Sequence, residues 1–151
     1  MTANFQFPTG SVPWVQLRGG PEFDYEVDYK IAVLGCRPEN GTLDMIIEFA
    51  PNAHCHFHRH VAATTTLVLE GEQHILETTE DGEEIHKVRK AGDYATSPGG
   101  DVHMERGGPD GALVFFAFHS PTGHLFDLLD SDRNIIGTTT IEELAAGQLA
   151  V

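Results

Sequence analysis

His54-Cys55-His56-Phe57-His58-Arg59-His60 sets four imidazoles at alternate positions, and a fifth follows at the end of Pro98-Gly99-Gly100-Asp101-Val102-His103. Side chains two apart on an extended strand share a face, so a His-x-His pair turns both rings toward one ion. His58 and His60 form such a pair. The Gly/Pro-rich approach to His103 suits a tight turn feeding a strand, which brings a third imidazole from elsewhere in the fold. Three neutral imidazoles suit Fe, Zn, Cu or Ni and leave coordination positions open for water or substrate.

Outward from the histidines the chain reads as short strands. Leu43, Met45, Ile47 and Phe49 alternate with Asp44, Ile46 and Glu48, a half-buried strand that delivers the chain to the histidines. Thr64 to Glu70 is β-branched and apolar and is expected to end at Gly71. Gln73 to Thr79, the Asp81-Gly82 turn and Glu84 to Val88 form a hairpin. Ala112 to His119 carries three phenylalanines and is apolar on both faces, so it needs cover from a second sheet or a second subunit. Leu125 to Leu129 and Asn134 to Thr138 bracket the polar turn Ser131-Asp132-Arg133 as another hairpin. Arg18 to Asp28, with Gly19-Gly20-Pro21 and several acids, reads as a loop. Helical spacing occurs at the end, where Thr140-Ile141-Glu142-Glu143 looks like a capping box and Gly147 a stop. Strands at these intervals predict an all-β sandwich or barrel.

The two histidine stretches resemble the signature motifs of the cupin superfamily (RmlC-like). The first motif runs Pro-Gly, five residues, His-x-His, three or four residues, Glu, six residues, Gly. The chain has Pro51-Asn52, His58-Arg59-His60, Thr64 and Gly71 at those places. The second runs Gly, five residues, Pro-x-Gly-x-x-His, three residues, Asn, and is matched by Gly92, Pro98 to His103 and Gly107. The resemblance implies a cupin double-stranded β-helix, a jelly-roll barrel with a short C-terminal helix. It is expected to fill residues 1–151 as a single cupin domain with its motif core at 51–107.

It further implies a metal held by His58, His60 and His103. With Thr64 in the glutamate's place, the chain is similar to small three-histidine dioxygenases, the acetylacetone-cleaving diketone dioxygenases and the dihydroxyacetophenone dioxygenases. The expected activity is that of a mononuclear non-haem iron dioxygenase cleaving a carbon-carbon bond of a β-dicarbonyl or hydroxy-ketone with O2. Fe(II) is the expected ion, with Zn, Ni, Mn or Cu as alternatives. A non-catalytic metal- or small-molecule-binding cupin, a sensor or binding module, is the competing reading. Homodimers or higher homo-oligomers are expected, because small cupins resemble one another in pairing through sheet edges.

Each remaining candidate has a plainer reading beside the chemical one. Glu105 shares the face of His103 if the strand continues, and could supply the missing carboxylate or act in catalysis; beside Arg106 it reads first as solvated. His54 and His56 read as surface or supporting residues, with a rival metal pair as the alternative. Cys55 should face away from the even-numbered histidines if the strand already runs extended there, and a thiolate ligand is the sharper alternative. Glu70 reads as a solvated carboxylate, and His119 and His124 as surface or interface residues.

Composition excludes several partners. A formal charge of −14 and a pI near 4.8 repel nucleic acid and anionic membrane. Lys87, Arg89 and Lys90 form a basic cluster that reads as a solvated hairpin leg offset by Glu83 and Glu84. At 40% hydrophobic and 21% charged residues, 151 residues can bury a core without disulfides, and Cys36 and Cys55 read as reduced thiols. No leader pattern or long apolar run is apparent, so a cytoplasmic location is the expectation.

Overall fold

Alternation of apolar and polar side chains bends this chain into one curled antiparallel sheet. The computed structural model describes residues 3–21 and 23–147. Its strands are β1 (Val15–Arg18), β2 (Asp28–Arg37), β3 (Thr42–Phe49), β4 (His58–His60), β5 (Ala63–Thr78), β6 (Glu84–Lys90), β7 (Tyr94–Ser97), β8 (Val102–His119), β9 (His124–Leu129) and β10 (Ile135–Thr140). One path through the sheet runs β1-β2-β3-β8-β4-β9-β10, while β5 pairs with β6, β7 and β8. Helix α1 (Ile141–Ala145) closes the described chain. Its N-cap hydroxyl, Thr140 Oγ1, accepts the Glu143 N–H at 3.2 Å, a cap worth about 1 kcal/mol. Ile141 and Leu144 anchor it against the core.

The inner face of the curl is the core. Leu43, Met45, Ile47 and Phe49 of β3 point inward as their alternation predicts, and join Phe116 and Phe118 of β8, Val68 of β5 and Leu125 of β9. Burying each such side chain stabilises the fold by roughly 1.5–3 kcal/mol. The expected loop from Arg18 to Asp28 gives up both its end residues to strands, Val15–Arg18 and Asp28–Arg37. In β2, Tyr29 and Ile31 nonetheless alternate into the same core.

Two expectations about β5 and β8 are corrected. The strand does not stop at Gly71; β5 bends there and continues to Thr78, with register shifts on both sides of the glycine. Gly71 sits at φ 75°, and a Cβ on it would lie 2.2 Å from the Gly111 carbonyl oxygen, so only glycine permits this approach of β5 to β8. At the start of the Phe-rich strand, Leu113 is covered together with Ile46 and Ala32 by the chain's own N-terminal arm, through Phe5, Val12 and Trp14. Glu70 pins that arm: its carboxylate accepts the N–H groups of Gln6 and Phe7 at 2.8 and 2.7 Å. It is a clasp rather than a purely solvated side chain. Among the described residues no helix is long and apolar enough to cross a membrane.

Candidate metal centre

Strand β4 is three residues long, and its alternation aims His58 and His60 into the curl while Arg59 points out. His58 lies directly opposite His103 in the β4–β8 register. The turn before β8 clamps the site from the backbone: the His60 N–H donates to the Asp101 carbonyl at 2.8 Å and the Gly100 N–H to the His60 carbonyl at 2.6 Å. Gly99 makes this turn at φ 105°, where a Cβ would lie 2.6 Å from the Val61 carbonyl oxygen. The predicted trio is thereby brought together, and Glu105, two residues along β8, joins it.

Ligand atoms of His58, His60, His103 and Glu105 all lie within 4.8 Å of one another, and all four residues are buried. His58 Nδ1 faces the His56 carbonyl at 2.7 Å, and a carbonyl only accepts, so Nδ1 carries the proton. His60 Nδ1 faces Thr64 Oγ1 at 3.0 Å, and that hydroxyl spends its proton on the Ala62 carbonyl at 3.1 Å; His60 must donate as well. Both Nε2 atoms therefore present lone pairs, 2.9 Å apart. Two bare lone pairs repel at that separation, and a divalent ion held by both would turn the repulsion into attraction. His103 Nε2, 3.7 Å from Glu105 Oε1, is buried without a hydrogen-bond partner, a donor atom of the kind an ion takes. These residues fit a divalent metal.

Burial sets the protonation states. It lowers His58 to about 4, and lowers His60 and His103 well below the usual imidazole value, with neighbouring histidines adding to the effect. Neutral imidazole is the metal-binding form. Burial raises Glu105 to about 7, opposed by the positive charge of Arg89 and by the Gln73 amide. Gln73 Nε2 donates to Glu105 Oε1 at 2.7 Å, while Glu105 Oε2 lies 3.8 Å from His58 Nε2 and Oε1 lies 3.7 Å from His103 Nε2.

The expectation of a solvated Glu105 is thus overturned: β8 continues extended, parity puts Glu105 on the His103 face, and it is Arg106 that turns away. A carboxylate thus stands in the cluster from β8 and not from position 64, where Thr64 accepts the His60 Nδ1 proton. The condition set for Cys55 is not met. The chain is not yet a strand at residue 55, so its thiol packs 3.8 Å from His58 Nδ1 instead of facing away. Burial raises that thiol well above its ordinary value, which disfavours a thiolate. His56 serves through its backbone carbonyl, and its ring is bonded to the Tyr29 hydroxyl at 2.9 Å. His54 forms an isolated bridge with Arg106. His119 is exposed and His124 binds Asp127 at 2.7 Å; both lie outside the cluster. Cys36 and Cys55 are free.

The cluster opens onto a cavity of about 580 Å³ of atom-free space, its mouth included. Phe116, Phe118, Phe126 and Leu128 give it an apolar lining. Sequence reasoning named the Phe-rich strand but not Phe126, whose alternation in β9 carried the signal. It also passed over Gln73, a wholly buried amide in an apolar run.

The architecture is shared with solved structures. An acetylacetone dioxygenase from Acinetobacter johnsonii superposes with a TM-score of 0.66 at 16% identity, over 87% of this chain and 83% of that one. A candidate acetylacetone dioxygenase from Methylibium petroleiphilum PM1 gives 0.69 at 16% identity, over 99% and 97%. A cupin 2 conserved barrel domain protein from Rhodopseudomonas palustris gives 0.64 at 14% identity, over 82% and 81%. At these identities the likeness is one of fold. No curated protein matches the sequence. The ChrR cupin-like domain family matches residues 3–123, most of the chain, and with the curled sheet and the histidines in motif register this protein belongs to that family of cupins.

Proposed function

We propose that the chain is a mononuclear non-haem iron dioxygenase that cleaves a carbon-carbon bond of a β-dicarbonyl or hydroxy-ketone. The observation that carries the reading is a buried three-histidine, one-carboxylate cluster opening onto an otherwise apolar cavity. The fold shared with acetylacetone dioxygenase supports the reaction class.

Fe(II), or Zn, Ni, Mn or Cu in its place, would be held through the Nε2 atoms of His58, His60 and His103; when bound, iron supplies Lewis acidity that stabilises an enolate and a redox route to O2. The protein's own residues do the rest. Phe116, Phe118 and Phe126 exclude water and receive an apolar substituent. Gln73 holds Glu105 Oε1, which leaves Oε2 to take the proton from the carbon between two carbonyls. Both atoms of O2 enter the products, a carboxylic acid and a second carbonyl compound.

An oxygen electrode tests the reading with iron-loaded protein and a panel of β-dicarbonyls and aryl hydroxy-ketones, with products identified by mass spectrometry. Oxygen uptake with cleavage, abolished by His60→Ala, is expected. One observation favours a second reading: four donors can close the coordination shell of a tetrahedral ion such as Zn. Binding of the ketones without oxygen uptake would support that non-catalytic module.

A further inference from the structure

A second cavity, of about 360 Å³ of atom-free space, shares His60, Glu105 and Phe116 with the first and so meets it at the cluster. Its character is opposite. Hydroxyl side chains, Thr66 and Thr96 among them, line it together with the guanidinium of Arg89. Arg89 stands opposite Gln73 in the β5–β6 register, and Gln73 is the residue that holds Glu105. The charge of Arg89 acts on Glu105, His60 and His103.

The lining of the chamber also holds the carboxylates of Glu77, Asp101 and Glu105. Glu77 takes Lys87 at 3.0 Å, and Asp101 accepts the Ser97 hydroxyl. Among the described residues the Arg89 side chain makes no hydrogen bond or ion pair. Of the basic cluster read as a solvated hairpin leg, Arg89 lines the chamber, and Lys87, paired with Glu77, also acts on His103. A guanidinium offers five donors in a planar fork that matches a carboxylate.

We infer that the polar chamber receives a carboxylate of the substrate on Arg89, so that the substrate is a dicarbonyl with a carboxylate on one arm and an apolar group on the other. The inference rests on the dicarbonyl reading of the cluster. Each end of such a molecule finds its own cavity: the apolar arm lies among the phenylalanines, the two carbonyl oxygens at the cluster, and the carboxylate among hydroxyls and Arg89. In a chain of net charge −14, a local cation is what admits an anion to a buried site.

The test is calorimetric binding to zinc-loaded protein, which removes turnover, with pentane-2,4-dione and 2,4-dioxopentanoate as probes. They differ by one carboxylate. The wild type is expected to bind the dioxo acid about tenfold or more tightly. Arg89→Ala should erase that preference, read as the ratio of the two affinities within the same variant because Arg89 also acts on the cluster, and Arg89→Lys should keep part of it. Zinc content equal to wild type shows that each variant retains its site, and Arg89→Gln substitutes if the alanine variant does not fold. Equal affinity of the wild type for both probes, or a preference that survives loss of Arg89, overturns the inference while leaving the dicarbonyl reading in place. Binding of neither probe by zinc-loaded wild type would contradict both.

Discussion

At the scale of single residues, the cluster depends on where two protons sit. Thr64 accepts from His60 Nδ1 only because its own proton goes to the Ala62 carbonyl. Thr64→Val keeps the shape and removes the acceptor, and is expected to weaken metal affinity by about 10–100-fold, measured by competition with a chromophoric chelator. Unchanged affinity would refute the proposed orientation of His60. The three histidines were legible in the sequence because period-two alternation and motif spacing both name them. Glu105 was half legible: its parity with His103 pointed inward, but charged neighbours usually signal solvent, and the length of β8 was needed to decide. Arg89 was not legible. On an edge hairpin, alternation gives two faces without saying which one looks into a cavity.

At the scale of elements, short pieces of backbone aim the side chains. The Pro98-Gly99-Gly100 turn locks His60 by two backbone hydrogen bonds and launches β8 toward His103. Gly99→Ala must relax both a left-handed φ and a 2.6 Å approach to the Val61 carbonyl. A loss of about 1–3 kcal/mol in denaturant unfolding, together with weaker metal binding, is expected. Retention of both properties would mean that the turn does not position the site. The hairpins, β3 and the α1 cap followed from alternation and turn chemistry. β1 and β2 escaped notice because the glycines, proline and acids around residues 19–28 read as loop, and they are indeed the connection between the two strands. Cys55 faces the cluster because the condition for its turning away, extended strand at residue 55, is not met: β4 begins three residues later, at His58.

At the scale of the molecule, the buried cluster makes the metal-free protein sensitive to acid. Burial holds His58 at about 4 and keeps His60 and His103 low as well, so the unfolded chain takes up protons that the fold refuses. Stability is whole above the unfolded imidazole value of 6.5 and is lost as pH falls from there toward 4. Glu105 works the other way. Raised from 4.5 to about 7, it contributes stability below 4.5 that is lost as pH rises through 7. Three groups oppose one, so the denaturation midpoint of chelator-treated protein is expected to be lower at pH 5 than at pH 7.5; an equal or higher midpoint at pH 5 would count against the buried neutral cluster. The N-terminal arm covers Leu113 of the Phe-rich strand, while Val15, Leu34 and Ile135 remain exposed on β1, β2 and β10. A homodimer or higher assembly is therefore still expected, and light scattering at 16.5 kDa would contradict it. The measurement that matters most is whether His58, His60 and His103, with Glu105 beside them, hold an ion. Elemental analysis of anaerobically purified protein is predicted to find about one divalent metal per chain in the wild type and in His54→Ala, and little in His103→Ala; a metal-free wild type, or full retention in His103→Ala, would contradict it.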